Sequence, residues 1–323
     1  MLHDGIYEQI INNKIETDLS ELDISNYDIF KESLKADDAR RALSIYISDV
    51  IQKGLRYIRE SFSTSQDQEA LIAQIELCND IIDEIAKHTD EADFEDNRIL
   101  EKGEILTALY SKLNSARSVS KQRIIRPETS ITENALFTGS SNEPSMMSEL
   151  KKEIVTSDSV DLLVSFIKWS AIRPLLPELQ EFTSRPGCKL RIITTTYTKT
   201  TDYKAVYELA KLPNTEIKVN YETSHARMHA KSYLFNRKTG FSTAYIGSSN
   251  LSHPALTGGL EWNIKITEKE SFDIVKKFQV AFETYWNDES FETFDLTDEE
   301  CREKLLYELS YPAKSKDNIG SLQ

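Results

Sequence analysis

Cysteine is scarce in this chain of 323 residues, and the three that occur are far apart. Cys78, Cys188 and Cys301 form no CxxC pair. Disulfide-stapled domains and zinc-ribbon sites both need closely spaced cysteines. The sequence therefore argues against both, and we expect the thiols to be reduced.

Long apolar runs are also missing. No segment approaches the ~20 apolar residues that cross a bilayer. The first residues, MLHDGIYEQI, lack the basic and then apolar layout of a signal peptide. Hydrophobic residues make up 39% and charged residues 28% of the chain, an ordinary foldable composition. We expect a cytoplasmic protein that does not bind membranes.

Positive charge is short overall, because 39 basic residues face 53 acidic ones and the net charge is −14. The excess of acidic residues differs between three parts of the chain. Residues 1–100 hold 23 acidic and 10 basic residues, residues 101–270 hold 18 and 23, and residues 271–323 hold 12 and 6. The middle part alone has a net positive charge, so the charge distribution permits a phosphate-binding surface there and not in the other two parts.

The first part of the chain has the 3.6-residue apolar period of amphipathic helices. The pattern predicts helices over Gly5–Leu19, Lys35–Phe62, Leu71–Ala86 and Ile99–Leu113. We expect a helical N-terminal region over residues 1–120. The serine-rich, basic segment Ser115–Pro127 follows as a boundary.

Beyond this boundary, short apolar runs alternate with helical patterns, which is typical of an α/β domain with helices packed on a sheet. We expect this domain over residues 126–290, followed by an acidic C-terminal helix and tail over residues 291–323. The predicted strands are Val160–Phe166, Lys189–Thr195, Glu216–Tyr221, Met228–Phe235, Ser242–Ile246 and Leu260–Ile266. The predicted helices are Ala171–Phe182, Asp202–Leu212, Ser271–Trp286 and Asp298–Leu309.

Residues with catalytic chemistry are concentrated between His225 and Trp262. Side chains alternate along a strand, so His229 and Lys231 should share one face while Met228 and Leu234 lie on the other. A histidine is a nucleophile that works at neutral pH. A lysine two residues along the same face offers a fixed positive charge to a phosphate oxygen.

A second motif follows the RKTG hairpin. Gly247-Ser248-x-Asn250 places two hydrogen-bonding side chains where negative charge on a phosphate would develop. Glu261 follows, and a carboxylate can hydrogen-bond the second nitrogen of an imidazole and fix its orientation. These residue types together indicate phosphoryl transfer.

His229-x-Lys231 followed by Gly247-Ser248-x-Asn250 resembles the HxK...GSxN motif of the phospholipase D superfamily, and Glu261 matches a glutamate of its nucleases. The wider text of Arg126–Asp288 resembles the phospholipase D-like domain that precedes DEAD/DEAH-box helicases in large bacterial proteins. The resemblance implies a phospholipase D-like mixed β-sheet flanked by helices, preceded by an α-helical N-terminal domain. No Walker-type GxxxxGK[ST] occurs, so the chain has no helicase of its own.

The resemblance implies a metal-independent phosphodiesterase without a cofactor, most simply a DNA endonuclease. In that mechanism His229 forms a phosphohistidine, Lys231, Asn250 and Ser248 hold the phosphate, and Glu261 orients the histidine. The superfamily uses two histidines at one site and this chain has one HxK motif, so a homodimer is implied. The superfamily's aspartate five residues after the lysine is Asn236 here, which should remove a structural ion pair.

Three further residues are weaker substrate-binding candidates. Lys168 follows the first strand of the domain, Arg227 shares the predicted face of His229, and His253 follows Asn250 closely. His225 lies four residues before His229, but on a strand the two are over ~12 Å apart, which disfavours a zinc site. We expect no metal ligands.

The expected partners are DNA, single-stranded DNA included, a second copy of the chain, and a helicase or another protein of a restriction or phage-defence system. Two alternatives stay open. One is a catalytically silent nucleic-acid-binding or assembly module, which the acidic N-terminal region favours. The other is a phospholipase, against which stand the single motif and the lack of a basic amphipathic helix.

Overall fold

The structure is a computed structural model that describes residues 2–3, 5–23, 26–89, 92–109, 124–221 and 228–310. The chain divides into two compact units, Met1–Leu109 and Tyr110–Gln323. Within the described residues, no helix combines the length and the apolar character needed to span a membrane.

The first unit contains three helices, α1 (Asn13–Ser20), α2 (Ala36–Ser61) and α3 (Asp67–His88), and a short 3-10 segment, Ala92–Asn97. α2 and α3 lie within a few residues of their predicted bounds, and α1 starts eight residues later than predicted. The helices follow from their apolar period, which gives each one an apolar side.

The predicted helix Ile99–Leu113 is wrong over its described part, residues 99–109, which are not helical. Gly103 has a φ of +59°, which is incompatible with a right-handed helix. The backbone N–H and C=O of Ile99 are bound by the Asn79 side chain, at 2.8 and 3.0 Å. Residues 110–113 lie outside the described residues.

The second unit is a mixed α/β domain. Its strands are β1 (Ala135–Phe137), β2 (Ser159–Val164), β3 (Lys189–Thr195), β4 (Thr215–Asn220), β5 (Lys231–Asn236), β6 (Thr243–Gly247), β7 (Asn263–Thr267) and β8 (Phe291–Thr293). Its helices are α4 (Met146–Thr156), α5 (Trp169–Thr183), α6 (Tyr203–Ala210), α7 (His253–Thr257), α8 (Phe272–Trp286) and α9 (Glu299–Ser310).

These strands form one eight-stranded sheet in the order β1-β7-β6-β5-β2-β3-β4-β8. β2, β3 and β4 are parallel, while β5, β6 and β7 pair antiparallel with their neighbours. The carboxyl ends of β2, β3, β4 and β6 therefore meet the amino ends of β5 and β7 at one end of the sheet. We call this end the catalytic end because the residues that the sequence predicts to be catalytic lie here. Ligands of open α/β sheets bind at such ends.

The two faces of the sheet are covered differently. Alternate residues such as Leu162, Ile192 and Tyr233 join the main core, which includes residues of α4, α5, α6 and α7. The opposite face packs on α8, where Leu163 and Ile193 contact Phe282 in one cluster and Leu234 contacts Val275 in another. The predicted alternation of Lys231 and Tyr233 against Met228 and Leu234 is consistent with these clusters.

Helix α4 is held by a buried charge network. Lys265 Nζ lies 2.9 Å from Glu149 Oε1 and 3.0 Å from Glu153 Oε1, and all three side chains are fully buried. Arg237 also pairs with Glu153. Burial by itself would raise the pKa of Glu153, but Arg237 and Lys265 hold that pKa below its usual value. The ion pairs thus fix α4 to β7 and to the turn after β5.

Candidate active site

The catalytic end brings His229 and Lys231 together. His229 lies just before β5 and is exposed, whereas Lys231 opens the strand and is 6% exposed. Lys231 Nζ lies 2.9 Å from Nδ1 and 3.1 Å from Nε2 of the His229 ring, and donates to the His229 carbonyl oxygen at 2.8 Å. The Lys231 ammonium therefore lies within hydrogen-bond distance of both ring nitrogens of His229, and the tautomer of the ring decides which of them accepts.

Burial changes the chemistry of this lysine. Desolvation lowers the pKa of Lys231 below its usual 10.5, and the Glu261 carboxylate partly offsets the change. In its protonated form, the Lys231 ammonium offers a positive charge that can bind a phosphate oxygen. Glu261 precedes β7 and is partly exposed.

The position of Glu261 differs from its predicted role in one respect. In the described part of the chain, no hydrogen bond joins its carboxylate to His229. Its electrostatic influence is on Lys231 and on Tyr233, whose pKa is raised by burial and by Glu261. The orientation of His229 by Glu261 stays a prediction.

Asn250 is oriented by the segment that follows β2. Its Oδ1 accepts from the backbone N–H of Phe166 at 3.3 Å, and the residue is 6% exposed. Among the described residues, no acceptor binds the amide N–H groups of Asn250. These N–H groups can therefore donate hydrogen bonds to a phosphate oxygen. The neighbouring Ser165 Oγ lies 3.3 Å from the carbonyl oxygen of Ala230, which links the same segment to the strand of His229.

The two serines of the second motif have different surroundings. Ser248 is exposed, and its Oγ accepts from the backbone N–H of Trp262 at 3.0 Å. Ser249 is fully buried, where it donates to the carbonyl oxygen of Ala255 and accepts from the Asn263 side chain. Ser249 is therefore structural, and Ser248 lies beside the Glu261 segment.

Gly247 allows this close approach. A Cβ at Gly247 would lie 2.1 Å from the carbonyl oxygen of Trp262 and 2.7 Å from the Cα of Asn263. Real Cβ atoms do not approach backbone atoms so closely, so only glycine fits. The glycine of the motif thus brings β6 and β7 together at the site.

The structure describes two of the three weaker substrate-binding candidates, Lys168 and His253. Lys168 precedes α5, its backbone N–H donates to Leu251 at 2.7 Å, and its ammonium pairs with Asp202 at 3.0 Å. His253 opens α7 and is exposed, with its ring nearest to Thr257. Arg227 and His225 lie outside the described residues.

Asn236 is at the far end of β5 from His229. Its Nδ2 donates to Asp161 Oδ2 at 3.0 Å, and its Oδ1 accepts from Gln279 at 2.9 Å. Asp161 also pairs with Arg191 at 2.7 Å. The carboxylate that Asn236 contacts is supplied by β2. Asn236 is seven positions along the chain from His229, a separation of over ~20 Å.

Sequence reasoning missed several supports of the site. Asp202 accepts from the backbone N–H of Trp169 at 2.9 Å and pairs with Lys168, so it fixes the start of α5. Asn263 is 2% exposed and holds Ser249 through both side-chain atoms. These contacts join segments distant in sequence, and no local pattern indicates them. In the described part of the chain, no group of three or more His, Cys, Asp or Glu is arranged to hold a metal.

Comparison with solved structures finds partial similarity. NucT from Helicobacter pylori is 20% identical, with a TM-score of 0.40, over 50% of this chain and 99% of that one. Nuc from Salmonella typhimurium, a phospholipase D family member, is 15% identical, with a TM-score of 0.38, over 50% and 99%. TrmBL2, an archaeal chromatin protein, is 16% identical, with a TM-score of 0.33, over 51% and 55%. A comparison with curated proteins found no match.

The family models give a match to one segment, which contains the residues of the site. Residues 150–286 match the family described as "Cardiolipin synthase, PLD-like domain". The match extends from α4 through α8 and includes both motifs. Residues 150–286 of this chain are thus similar to a phospholipase D-like domain.

Proposed function

We propose that this chain is a metal-independent phosphodiesterase, a nuclease that cleaves DNA through a phosphohistidine at a site shared by two copies. The observation that carries the proposal is the contact between the exposed His229 ring and the buried Lys231 ammonium, at 2.9 and 3.1 Å. The phospholipase D-like domain supports the reaction class.

The reaction takes place in two displacements. The unprotonated nitrogen of His229 attacks phosphorus, the bond from phosphorus to the leaving oxygen breaks, and His229 of the second copy gives its proton to that oxygen. The second histidine then takes a proton from water. The resulting hydroxide attacks phosphorus, the P–N bond breaks, and both histidines return to their first state.

Lys231 and Asn250 bind the phosphate during both displacements. The Lys231 ammonium offsets the charge of the phosphate oxygens, and the Asn250 amide donates to them as charge develops. Ser248 assists from the end of β6. Because cationic side chains neutralise the phosphate, the scheme needs no metal.

The homodimer is supported by an exposed apolar surface near the site. Leu136, Ile246 and Ile264 are neighbours on β1, β6 and β7, and are 51%, 44% and 41% exposed. Trp262 lies two residues before Ile264 and is 64% exposed. We call these four residues the apolar row. Clusters of exposed apolar side chains are typical of protein interfaces, and a second copy seated here would lie beside the catalytic end.

DNA as the substrate and a partner in restriction or phage defence follow from the sequence resemblance to helicase-linked domains. The middle of the chain, with 23 basic and 18 acidic residues, supports a polyanionic substrate. A helicase supplied by a partner would expose single strands to this site.

A phospholipase is the second candidate, and one observation favours it. The description of the matching family names cardiolipin synthase. The same two displacements would then act on a lipid phosphodiester, with an alcohol or water as the second nucleophile. A silent binding module is the third candidate and would require none of these steps.

The test is cleavage of plasmid and single-stranded DNA in EDTA by the wild type and by His229→Ala, with the mass in solution measured in parallel. We expect a dimer that cleaves in EDTA and a loss of at least about 1,000-fold in the variant, because the nucleophile is gone. His88→Ala, which changes an exposed histidine at the end of α3, is the matched control and should retain activity. Cleavage that EDTA abolishes would contradict the mechanism.

Substrates separate the candidates. DNA cleavage without hydrolysis of phosphatidylcholine or phosphatidylglycerol vesicles supports the nuclease, and the reverse result supports the phospholipase. A folded dimer that binds DNA and cleaves neither substrate supports the silent module.

A further inference from the structure

The last two residues of β3 and the loop that follows contain six threonines in eight residues, from Thr194 to Thr201. We call residues 194–201 the threonine loop. Three of its hydroxyl groups form contacts within the loop. Thr195 Oγ1 accepts from the backbone N–H of Tyr197 at 3.0 Å, Thr200 donates to the Thr198 carbonyl at 3.0 Å, and Thr201 donates to the Thr195 carbonyl at 3.2 Å.

The other three hydroxyls have no partner. The Oγ1 atoms of Thr194, Thr196 and Thr198 are buried, and within the described part of the chain none forms a hydrogen bond. Thr196 is 1% exposed. Buried hydroxyls are nearly always paired, and a valine would fill the same volume without an unpaired oxygen. Three unpaired hydroxyls within five residues therefore indicate a role beyond packing.

The register of the sheet places the threonine loop beside the catalytic residues. Val164 pairs with Lys231, and Leu163 pairs with Ile193. Thr194 is therefore level with Lys231, and Thr196, two residues further, is level with His229. Alternation along β3 places Thr194 on the sheet face of Lys231, and Thr196 directly follows β3, where its backbone N–H donates to the Asn220 carbonyl oxygen at 3.1 Å. β2 alone separates the two strands, so the distance is about 10 Å.

Backbone contacts connect the threonine loop to the segment that orients Asn250. The Ile167 N–H donates to Thr201 Oγ1 at 3.4 Å, and the Asp202 N–H donates to the Ile167 carbonyl at 2.8 Å. The next residue, Lys168, donates to Leu251. The loop is therefore part of the same rigid frame as the candidate active site.

The threonine loop also presents a positive charge. Lys199 has a φ of +51°, in the left-handed region that side chains other than glycine and asparagine rarely adopt. Among the described residues, no carboxylate pairs with its ammonium. A lysine held in this way can bind an anion in place of a protein carboxylate.

We propose that the threonine loop is a second phosphate subsite, where Thr196, Thr198 and Lys199 bind a phosphate of the same nucleic-acid strand that His229 cleaves. The proposal rests on the proposed nuclease function. The separation of about 10 Å between the two strands is long enough for the two sites to hold different phosphates of one nucleic-acid strand. Hydroxyl and lysine contacts to phosphates position a strand without reading its sequence.

The test is the affinity of His229→Ala, which cannot complete the reaction, for a fluorescently labelled single-stranded hexathymidylate. Thr196→Val with Thr198→Val should weaken binding about 10-fold, the size expected for lost hydrogen bonds to a charged group. Thr196→Ser with Thr198→Ser keeps the hydroxyls and should restore binding. Thr215→Val, at the opposite end of β4, is the matched control and should bind normally.

Lys199→Asn tests the charge, because asparagine tolerates the left-handed conformation that Lys199 adopts. We expect weaker binding and a dependence of log Kd on log salt that is smaller by about one. Thermal unfolding of each variant confirms that the fold is intact.

A separate assay distinguishes failure of the subsite from failure of the proposed function. The wild type is given bis(p-nitrophenyl) phosphate, a diester with a single phosphate, in EDTA. Normal hexathymidylate binding by the valine variants would overturn the subsite, whatever this assay shows. Threonine-dependent binding without hydrolysis of the small diester would leave the subsite standing and overturn the phosphodiesterase. No hexathymidylate binding by any version would overturn the subsite, and diester hydrolysis would then still support the enzyme.

Discussion

The Lys231 ammonium is subject to two opposing influences. Burial lowers its pKa below 10.5, and the nearby Glu261 carboxylate raises it. The protonated form is the one that binds phosphate. Activity is therefore complete below the pKa of Lys231 and is lost as the pH rises through it, so the alkaline limb should lie below pH 10.5.

Glu261→Gln should move the alkaline limb of kcat/KM to lower pH, because the variant lacks the carboxylate that favours the ammonium. The measurement is the rate of single-stranded DNA cleavage from about pH 6 to about pH 10 in EDTA. Glu289→Gln, on the exposed turn before β8, is the control and should leave the limb in place. An unmoved limb with a reduced kcat would instead assign Glu261 to His229, as the sequence resemblance implies.

Asn236 shows how a departure from a motif can be compensated by a neighbour. The resemblance leads to an aspartate at this position. The structure has an amide that donates to Asp161 and accepts from Gln279. Burial raises the pKa of Asp161, while Arg191 and Asn236 favour its ionised form. An aspartate at position 236 would place a second carboxylate next to Asp161, and the two negative charges would repel each other. The uncharged asparagine avoids this repulsion and donates a hydrogen bond to Asp161 instead.

At the scale of elements, the junction of β6 and β7 depends on the absence of a side chain at Gly247. The carbonyl oxygen of Trp262 accepts from the backbone N–H of Ser248 at 3.0 Å. This hydrogen bond continues the pairing of Gly247 with Asn263 into the site.

Gly247→Ala should destabilise the domain by about 1–3 kcal/mol, the usual range for overpacking. It should also reduce cleavage, because Ser248 and Asn250 shift with the strand. The measurements are urea unfolding and DNA cleavage in EDTA. Gly258→Ala is the control, because its Cβ would meet nothing within 4 Å and its φ is −143°. Unfolding free energy equal to wild type in Gly247→Ala would contradict the close-approach argument.

Elements with a strong apolar period could be predicted from the sequence. The predicted bounds of β3, Lys189–Thr195, are those of the structure. The long helices α2 and α3 lie close to prediction as well. In each case the local pattern and the tertiary environment favour the same conformation.

Elements whose buried faces are polar were missed. α4 buries Glu149 and Glu153, so its apolar period is interrupted and no helix was predicted over Met146–Thr156. Lys265 is fully buried although its sequence context is an ordinary strand. The three-residue strands β1 and β8 are too short for a period to show. Long-range ion pairs and strand pairing determine these features, and a local pattern contains neither.

The candidate site divides in the same way. The two motifs are local in sequence, and they bring together His229 just before β5, Lys231 at its start and Asn250 after β6. The predicted strand Met228–Phe235 began three residues too early. The unpaired hydroxyls of Thr196 and Thr198 cannot, because the register of β2, β3 and β5 determines their level. The contact of Asn250 with Phe166 likewise depends on the fold.

At the scale of the whole molecule, the proposed mechanism needs two histidines, and the chain has one HxK motif. In this proposal a second copy places its His229 within reach of the same phosphate. The apolar row is next to the catalytic end, since Trp262 binds Ser248 through its backbone. Its side chains alternate with core-facing residues such as Tyr245 and Lys265, so they can be changed without entering the main core.

Ile246→Lys with Ile264→Lys should convert the dimer into a folded monomer, because two ammonium groups would be buried without partners across the interface. Cleavage per chain should fall at least about 10-fold and should rise with protein concentration, since the active site then forms only on association. The measurements are mass in solution by light scattering, thermal unfolding, and cleavage rate over a range of concentrations. Leu306→Lys, a similarly exposed apolar residue on α9, is the control and should remain dimeric. An intact dimer would place the interface elsewhere, and a monomer with full, concentration-independent activity would overturn the shared site, because a single His229 would then be sufficient for both displacements.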